Sequence, residues 1–178
     1  MEEVDHEDAA GASPHEGRRS DRHLQTELKL KGGRTLLTGG FVAGRVHRLR
    51  VRIAAEKAPQ GVLAAVGNFP AVAKRTVTLS VLVRVPGTDA PAVVRKLRLP
   101  ATADTAWTKP VDLTLPATGT SATVEIVVLH LNRAIQTALL SGPLLLTPTT
   151  GPGLSLEVDA VTPLDALPMR SPPRRRSW

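Results

Sequence analysis

Val124–Leu146 reads VEIVVLHLNRAIQTALLSGPLLL. Two apolar runs rich in Val, Ile and Leu meet at Asn132-Arg133. That pattern predicts a β-hairpin with strands over 122–131 and 135–141. Along the first run Val124, Ile126 and Val128 point one way, and Val127, Leu129 and Leu131 the other. A strand apolar on both faces calls for cover on both. With Asn132-Arg133 as a two-residue loop, Ile126 opposes Leu139 and Val128 opposes Thr137. That loop asks Arg133 to take φ > 0, which is costly for a residue with a β-carbon. A three-residue loop, Asn132-Arg133-Ala134, shifts the register by one. Gly142-Pro143 is expected to interrupt the second strand, with Leu144–Leu146 continuing as an edge.

Upstream, the same period of two recurs. Leu24, Thr26, Leu28 and Leu30 alternate with Gln25, Glu27, Lys29 and Lys31. Leu49, Val51 and Ile53 alternate with Arg48, Arg50 and Arg52. Val77, Leu79, Val81, Val83 and Val85 alternate with Thr78, Ser80, Leu82 and Arg84. Shorter alternating runs follow over 92–99, 111–115 and 154–158. Gly and Pro separate the runs, as at Gly32-Gly33, Pro86-Gly87 and Pro116 to Gly119. Residues 34–45 read as a turn or short strand around Leu36, Leu37, Phe41 and Val42. Residues 54–75 mix helix formers with Pro59, Gly61, Gly67 and Pro70. They read as an irregular loop with at most a helical turn, and are the place where a ligand site would sit.

The expected fold is therefore all-β: an antiparallel β-sandwich of seven to eight strands, immunoglobulin-like in architecture only. The Cys…Trp…Cys spacing of antibody domains is missing. Residues 24–161 form the expected domain. Residues 1–23 read as a disordered acidic tail and residues 162–178 as an extended Pro/Arg-rich tail.

Composition narrows the functions. The 178 residues contain no cysteine and no tyrosine, and only Phe41, Phe69, Trp107 and Trp178 are aromatic. Disulfides, thiolate nucleophiles and Cys-based zinc sites are excluded. Base-stacking platforms and aromatic cation cages lack their rings. No run of about 18 apolar residues is present, so no membrane span is expected. The N-terminus lacks a basic region followed by an apolar core, and the chain reads as cytoplasmic. The net charge of +7 combines −4 over residues 1–23, +8 over 24–161 and +3 over 162–178.

No catalytic constellation stands out. No Ser sits in a G-x-S-x-G elbow. His47 and His130 lie in strands, where a lone histidine reads as structural. His6, His15 and His23, with Asp5, Glu7, Asp8 and Glu16, sit in the N-terminal tail without preorganisation, so no metal or other cofactor is expected. Gly32-Gly33-Arg34-Thr35 and Gly39-Gly40 match no phosphate loop and read as turns. What remains is a candidate interaction surface: Arg48, Arg50 and Arg52 on one strand face, together with Val127, Leu129, Leu131 and Arg133 of the hairpin. The arginines suit bidentate contact with carboxylate or phosphate, or form a solvated face that resists aggregation. Arg174-Arg175-Arg176 suits weak, salt-sensitive contact with nucleic acid.

The segment LHLNRAIQTALLSGPL, with its Asn-Arg turn followed by Ile-Gln-Thr and a Gly-Pro, resembles accessory β-sandwich modules of actinobacterial multidomain effector proteins. The resemblance covers about twenty residues, and upstream it extends at most to the Arg45–Ile53 strand. Those proteins carry caspase-like CHAT peptidase or TIR domains elsewhere in the chain, and neither is present here. The resemblance implies a non-catalytic interaction or sensing module with a protein partner. The alternative is a basic protein that binds nucleic acid without sequence preference.

Overall fold

The computed structural model describes residues 21–70 and 75–162. Alternation of apolar and polar residues produces ten strands: β1 (His23–Leu30), β2 (Phe41–Val42), β3 (Val46–Ala54), β4 (Leu63–Ala64), β5 (Val77–Arg84), β6 (Val93–Leu99), β7 (Val111–Thr114), β8 (Ser121–His130), β9 (Arg133–Leu145) and β10 (Ser155–Val161). Eight of these have four or more residues. Among the described residues there is no helix, so 54–70 holds only the short strand β4 and no helical turn.

The strands form two sheets packed face to face. One runs in the order β4-β1-β3-β7; the other runs β10-β9-β8-β5-β6, with β2 added in parallel beside the far end of β9. All other pairings between strands are antiparallel, and an isolated parallel bridge joins Val66 to Glu157 of β10. The core lies between the sheets, where the inward set of each strand meets. Leu24 and Leu28 come from β1, Leu49, Val51 and Ile53 from β3, Leu79, Val81 and Val83 from β5, and Val124, Ile126 and Val128 from β8. Phe41 and Phe69 are its largest fully buried side chains.

The hairpin forms, but its turn sits one residue earlier than Asn132-Arg133. His130 pairs with Arg133, and Leu131 and Asn132 are the two loop residues. Both have positive φ, 50° and 63°, as a type I′ turn requires. Asn tolerates that region, and Arg133 is released into extended backbone as the first residue of β9. The register moves accordingly: Ile126 faces Ala138 rather than Leu139, and Val128 faces Gln136 rather than Thr137. A bulge after Val128 gives β9 one extra residue there, so Ile135 and Gln136 are both buried in succession.

Gly142-Pro143 does not interrupt β9, which runs unbroken to Leu145. Leu144 donates its N–H to Thr120 O on the β8 side at 3.0 Å. Pro143 therefore lacks its N–H on the opposite side, between the last β10 pair at Ser141 and the first β2 pair at Leu144. Gly142 is needed for a different reason. A β-carbon there would press on the side chain of Leu154 and the carbonyl of Gly153, which lie directly against this part of β9.

Candidate interaction surface

The outer face of the β4-β1-β3-β7 sheet carries the arginine stripe. Register places Lys29, Glu27 and Gln25 of β1 beside Arg48, Arg50 and Arg52, and Asp112 of β7 on the other side of Arg48. Arg48 Nε donates to Asp112 Oδ1 at 3.0 Å, and Lys31 Nζ lies 2.9 Å from Asp112 Oδ2. Arg50 Nε donates to Glu27 Oε1 at 2.5 Å, and Arg52 Nε to Gln25 Oε1 at 2.9 Å. Gln25 in turn donates to the Glu56 carbonyl at 2.7 Å. The guanidiniums of Arg50 and Arg52 sit 5.4 and 4.7 Å from the centre of the Trp107 ring. Such stacking favours cations over a ring face. Arg48 and Arg50 are thus ion-paired, whereas Arg52 meets only Gln25 and the Trp107 ring, and its Nη2 is buried without a hydrogen-bond partner. Asp112 reports its own pairing: hydrogen bonds from Arg48 and then Lys31 hold its carboxyl below the usual range.

Trp107 is held there by an unusual edge. Ahead of β7, residues 104–108 run along β3 without forming a strand. Thr105 N–H donates to Ile53 O while Ile53 N–H donates to Thr105 Oγ1, each at 2.9 Å. Thr108 does the same to Val51, at 2.9 and 3.1 Å. The two hydroxyls replace carbonyls that a neighbouring strand would supply, so β3 has no open edge here.

The outer face of the other sheet is built differently. Val94 of β6, Leu82 of β5 and Val127 of β8 lie side by side in register, continued by Thr137 of β9 and Ala160 of β10. Leu129 and Leu139 flank this row. Leu82, Val127, Leu129 and Leu139 are only half-buried, and Val94 is 47% exposed. At the hairpin tip Leu131 is 83% exposed. Arg84 and Glu125 pair across β5 and β8, so the middle of the face is electrically balanced. The charges that remain are at its edges: Lys96 and Arg98 on β6, Glu157 and Asp159 on β10.

The seven residues of the predicted surface therefore divide. Arg48, Arg50 and Arg52 lie on one outside of the sandwich, Val127 and Leu129 on the other, and Leu131 and Arg133 at the hairpin end. Sequence reading missed Leu82, Val94 and Leu139, which extend the apolar row. Leu82 and Val94 do stand out in sequence as apolar residues in the outward phase of their strands. The partners Glu27, Gln25 and Asp112 leave no such sign, because cross-strand neighbours depend on register.

The histidines are structural in their geometry. His47 is fully buried; its Nε2 accepts the Val42 N–H and its Nδ1–H donates to Arg45 O, each at 3.0 Å. Both ring nitrogens thus close the turn between β2 and β3, and burial pushes the imidazole pKa down. His23 Nδ1 lies 2.9 Å from Gly67 O. Among the described residues no group of three His, Cys, Asp or Glu is placed to hold a metal ion. His6 and His15, with their neighbouring acids, and Arg174–Arg176 lie outside the described residues. Among the described residues no helix is long and apolar enough to cross a membrane. Comparison with family models, curated proteins and solved structures gave no match.

Proposed function

We propose that the chain is a non-catalytic, cytoplasmic module that binds a protein through the outer face of its six-stranded sheet. One observation carries the reading: the Val94-Leu82-Val127 row with Leu129 and Leu139 leaves a contiguous apolar surface where an outward sheet face is ordinarily polar. The accessory role suggested by the resemblance of Leu129–Leu144 to effector-associated sandwiches fits this reading, with the partner an effector or signalling domain. Site-specific photo-crosslinking in source cells tests it. A crosslinker at position 129 is expected to give a discrete adduct, and one at position 29 none. Equal labelling from both positions, or none from either, overturns the reading.

The nucleic-acid alternative draws less support. Its best cations, Arg48, Arg50 and Arg52, are engaged by Asp112, Glu27, Gln25 and Trp107. Duplex retained at low salt and lost at high salt is the result that would favour it.

A further inference from the structure

We infer that the open edge of β6 takes an extended, acidic peptide segment of another protein as an added strand. This edge is a surface separate from the apolar face, and either can be filled without the other. Among the described residues the remaining sheet edges are closed or poorly suited to pairing. The part of β3 that β7 leaves unpaired is capped by the Thr105 and Thr108 hydroxyls. β2 covers the far end of β9. β10 is bulged between Val158 and Ala160 and is met by Val66. β4 has two residues and β7 four. By contrast, β6 is seven residues long, contains no proline, and keeps an unbroken register with β5 from Val93 to Leu99. Apart from β5, no backbone group among the described residues bonds to it. Alternate residues of β6 therefore present both N–H and C=O to the outside, the template on which an extended peptide adds.

Side chains decide which peptide fits. β6 reads VVRKLRL, with three cations and no acid, and β5 beside it has no acid either. Among the described residues none of Arg95, Lys96 and Arg98 forms an ion pair. Arg95 is level with Val81 on the inward side. Its guanidinium donates to Pro110 O at 3.0 Å from Nη2 and 3.2 Å from Nε, and to Val94 O at 3.2 Å. Lys96 donates to Ser80 Oγ at 2.8 Å, and Lys96 and Arg98 are both exposed on the outer side. Such an edge repels a second copy of itself and admits a strand of opposite charge. Lys96 and Arg98 stand two residues apart, about 7 Å along the strand. Carboxylates at alternate positions of an extended peptide share that spacing and lie on one side, so acids at i and i+2 meet both cations at once. The peptide residue between them falls on the inward side, level with Leu97, which is 3% exposed, and an apolar side chain suits that place.

NMR titration of the full chain with the peptide acetyl-Thr-Glu-Val-Glu-Val-Thr-amide, up to about 1 mM at low salt, tests this directly. Saturable binding is expected, with slowed hydrogen exchange at the alternate β6 amides that β5 leaves unpaired. The double variant Lys96→Glu/Arg98→Glu should weaken binding at least about tenfold. Both positions are exposed, so the fold is kept. A peptide with lysine in place of both glutamates should not bind the wild type, and should bind the double variant. N-methylation at alternate peptide residues should abolish binding in one phase and spare it in the other, because only one edge of the peptide pairs. Absence of binding by the glutamate peptide overturns the inference. So does equal loss from the two methylation phases, or binding that leaves β6 exchange unchanged, since attraction between charges alone then explains it. Slow exchange at the alternate β6 amides before any peptide is added also overturns it, because the edge is then already filled by the chain itself or by a second copy.

Discussion

The two outside faces of the sandwich come from strands with the same alternating pattern, yet they are finished in opposite ways. On the β4-β1-β3-β7 side each arginine has a neighbour: Asp112, Glu27 or Gln25, and Trp107 lies over two of them. On the β10-β9-β8-β5-β6 side the outward positions carry Leu82, Val127, Leu129 and Leu139, which are half-buried, and Val94, which is exposed. On the reading proposed above, the difference separates stability from recognition: the charged face would support the fold, and the apolar face would serve contact.

The sharpest way to break that division is at Glu27, which is only 8% exposed. Glu27→Ala strips Arg50 of its carboxylate in a half-buried setting, and should cost about 2–3 kcal/mol in chemical denaturation. A loss under about 0.5 kcal/mol would mean that the paired face does not stabilise the fold. Trp107→Ala comes next, with about 1–2 kcal/mol from lost apolar contact and two lost cation–π contacts. The midpoint of thermal unfolding should fall, with a near-native far-UV spectrum below the transition.

Acid should act through the interior first and the paired face second. His47 has a folded pKa below its ordinary 6.5, so the unfolded chain takes up a proton that the native ring resists. Stability from this group is complete above about 6.5 and falls as pH drops toward the lower folded value. Asp112 is likewise depressed below its ordinary 3.8 by Arg48 and Lys31, so its contribution is lost at more acid pH, below about 3.8. A melting temperature that declines in those two windows is expected. Asp112→Asn should flatten only the second, and an unchanged profile in that variant would remove the role given to the Arg48–Asp112–Lys31 cluster.

How far the molecule was legible in sequence follows from the same contrast. Alternation alone finds the strands, because burial on one face leaves a period of two in Leu49, Val51 and Ile53 or in Val77 to Val85. It does not find pairing. Arg50 and Glu27 are 23 residues apart, and only the register of β1 on β3 brings them together. The hairpin turn slipped by one residue for a related reason. Leu131 is an unlikely residue for positive φ, so the apolar run appeared to extend through it. Pro143 read as a stop because sequence does not reveal that its missing N–H falls in a gap between two neighbouring strands.

Two smaller substitutions refine the picture. Changing Leu131-Asn132 to Asn-Gly should raise stability by about 0.5–1 kcal/mol, since it supplies the residues a type I′ turn favours. Loss of the adduct from position 129 together with that gain would show that the exposed Leu131 belongs to the contact surface. The smallest expected effect is the most discriminating. Val127→Thr should change the stability of the dilute protein by less than about 0.5 kcal/mol, as for a solvated sheet face. A loss above about 1.5 kcal/mol would mean that the face is covered by the chain itself.

The approach of the β9–β10 connection to residues 38–40 has a consequence for how this sequence can diverge. Leu154 N–H donates to Thr38 O at 2.8 Å, Thr38 Oγ1 donates to Thr150 O at 2.8 Å, and a β-carbon on Gly153 would overlap the carbonyl of Gly39. Two stretches more than a hundred residues apart touch backbone to backbone at Gly39 and Gly153, with no side chain at that point to absorb a change. Insertions or deletions in either should be rejected, whereas the exposed turn at Gly87-Thr88-Asp89 is free to lengthen. In distant descendants of this chain the spacing around Gly39 and Gly153 should persist after the residues of both outer faces have drifted beyond recognition.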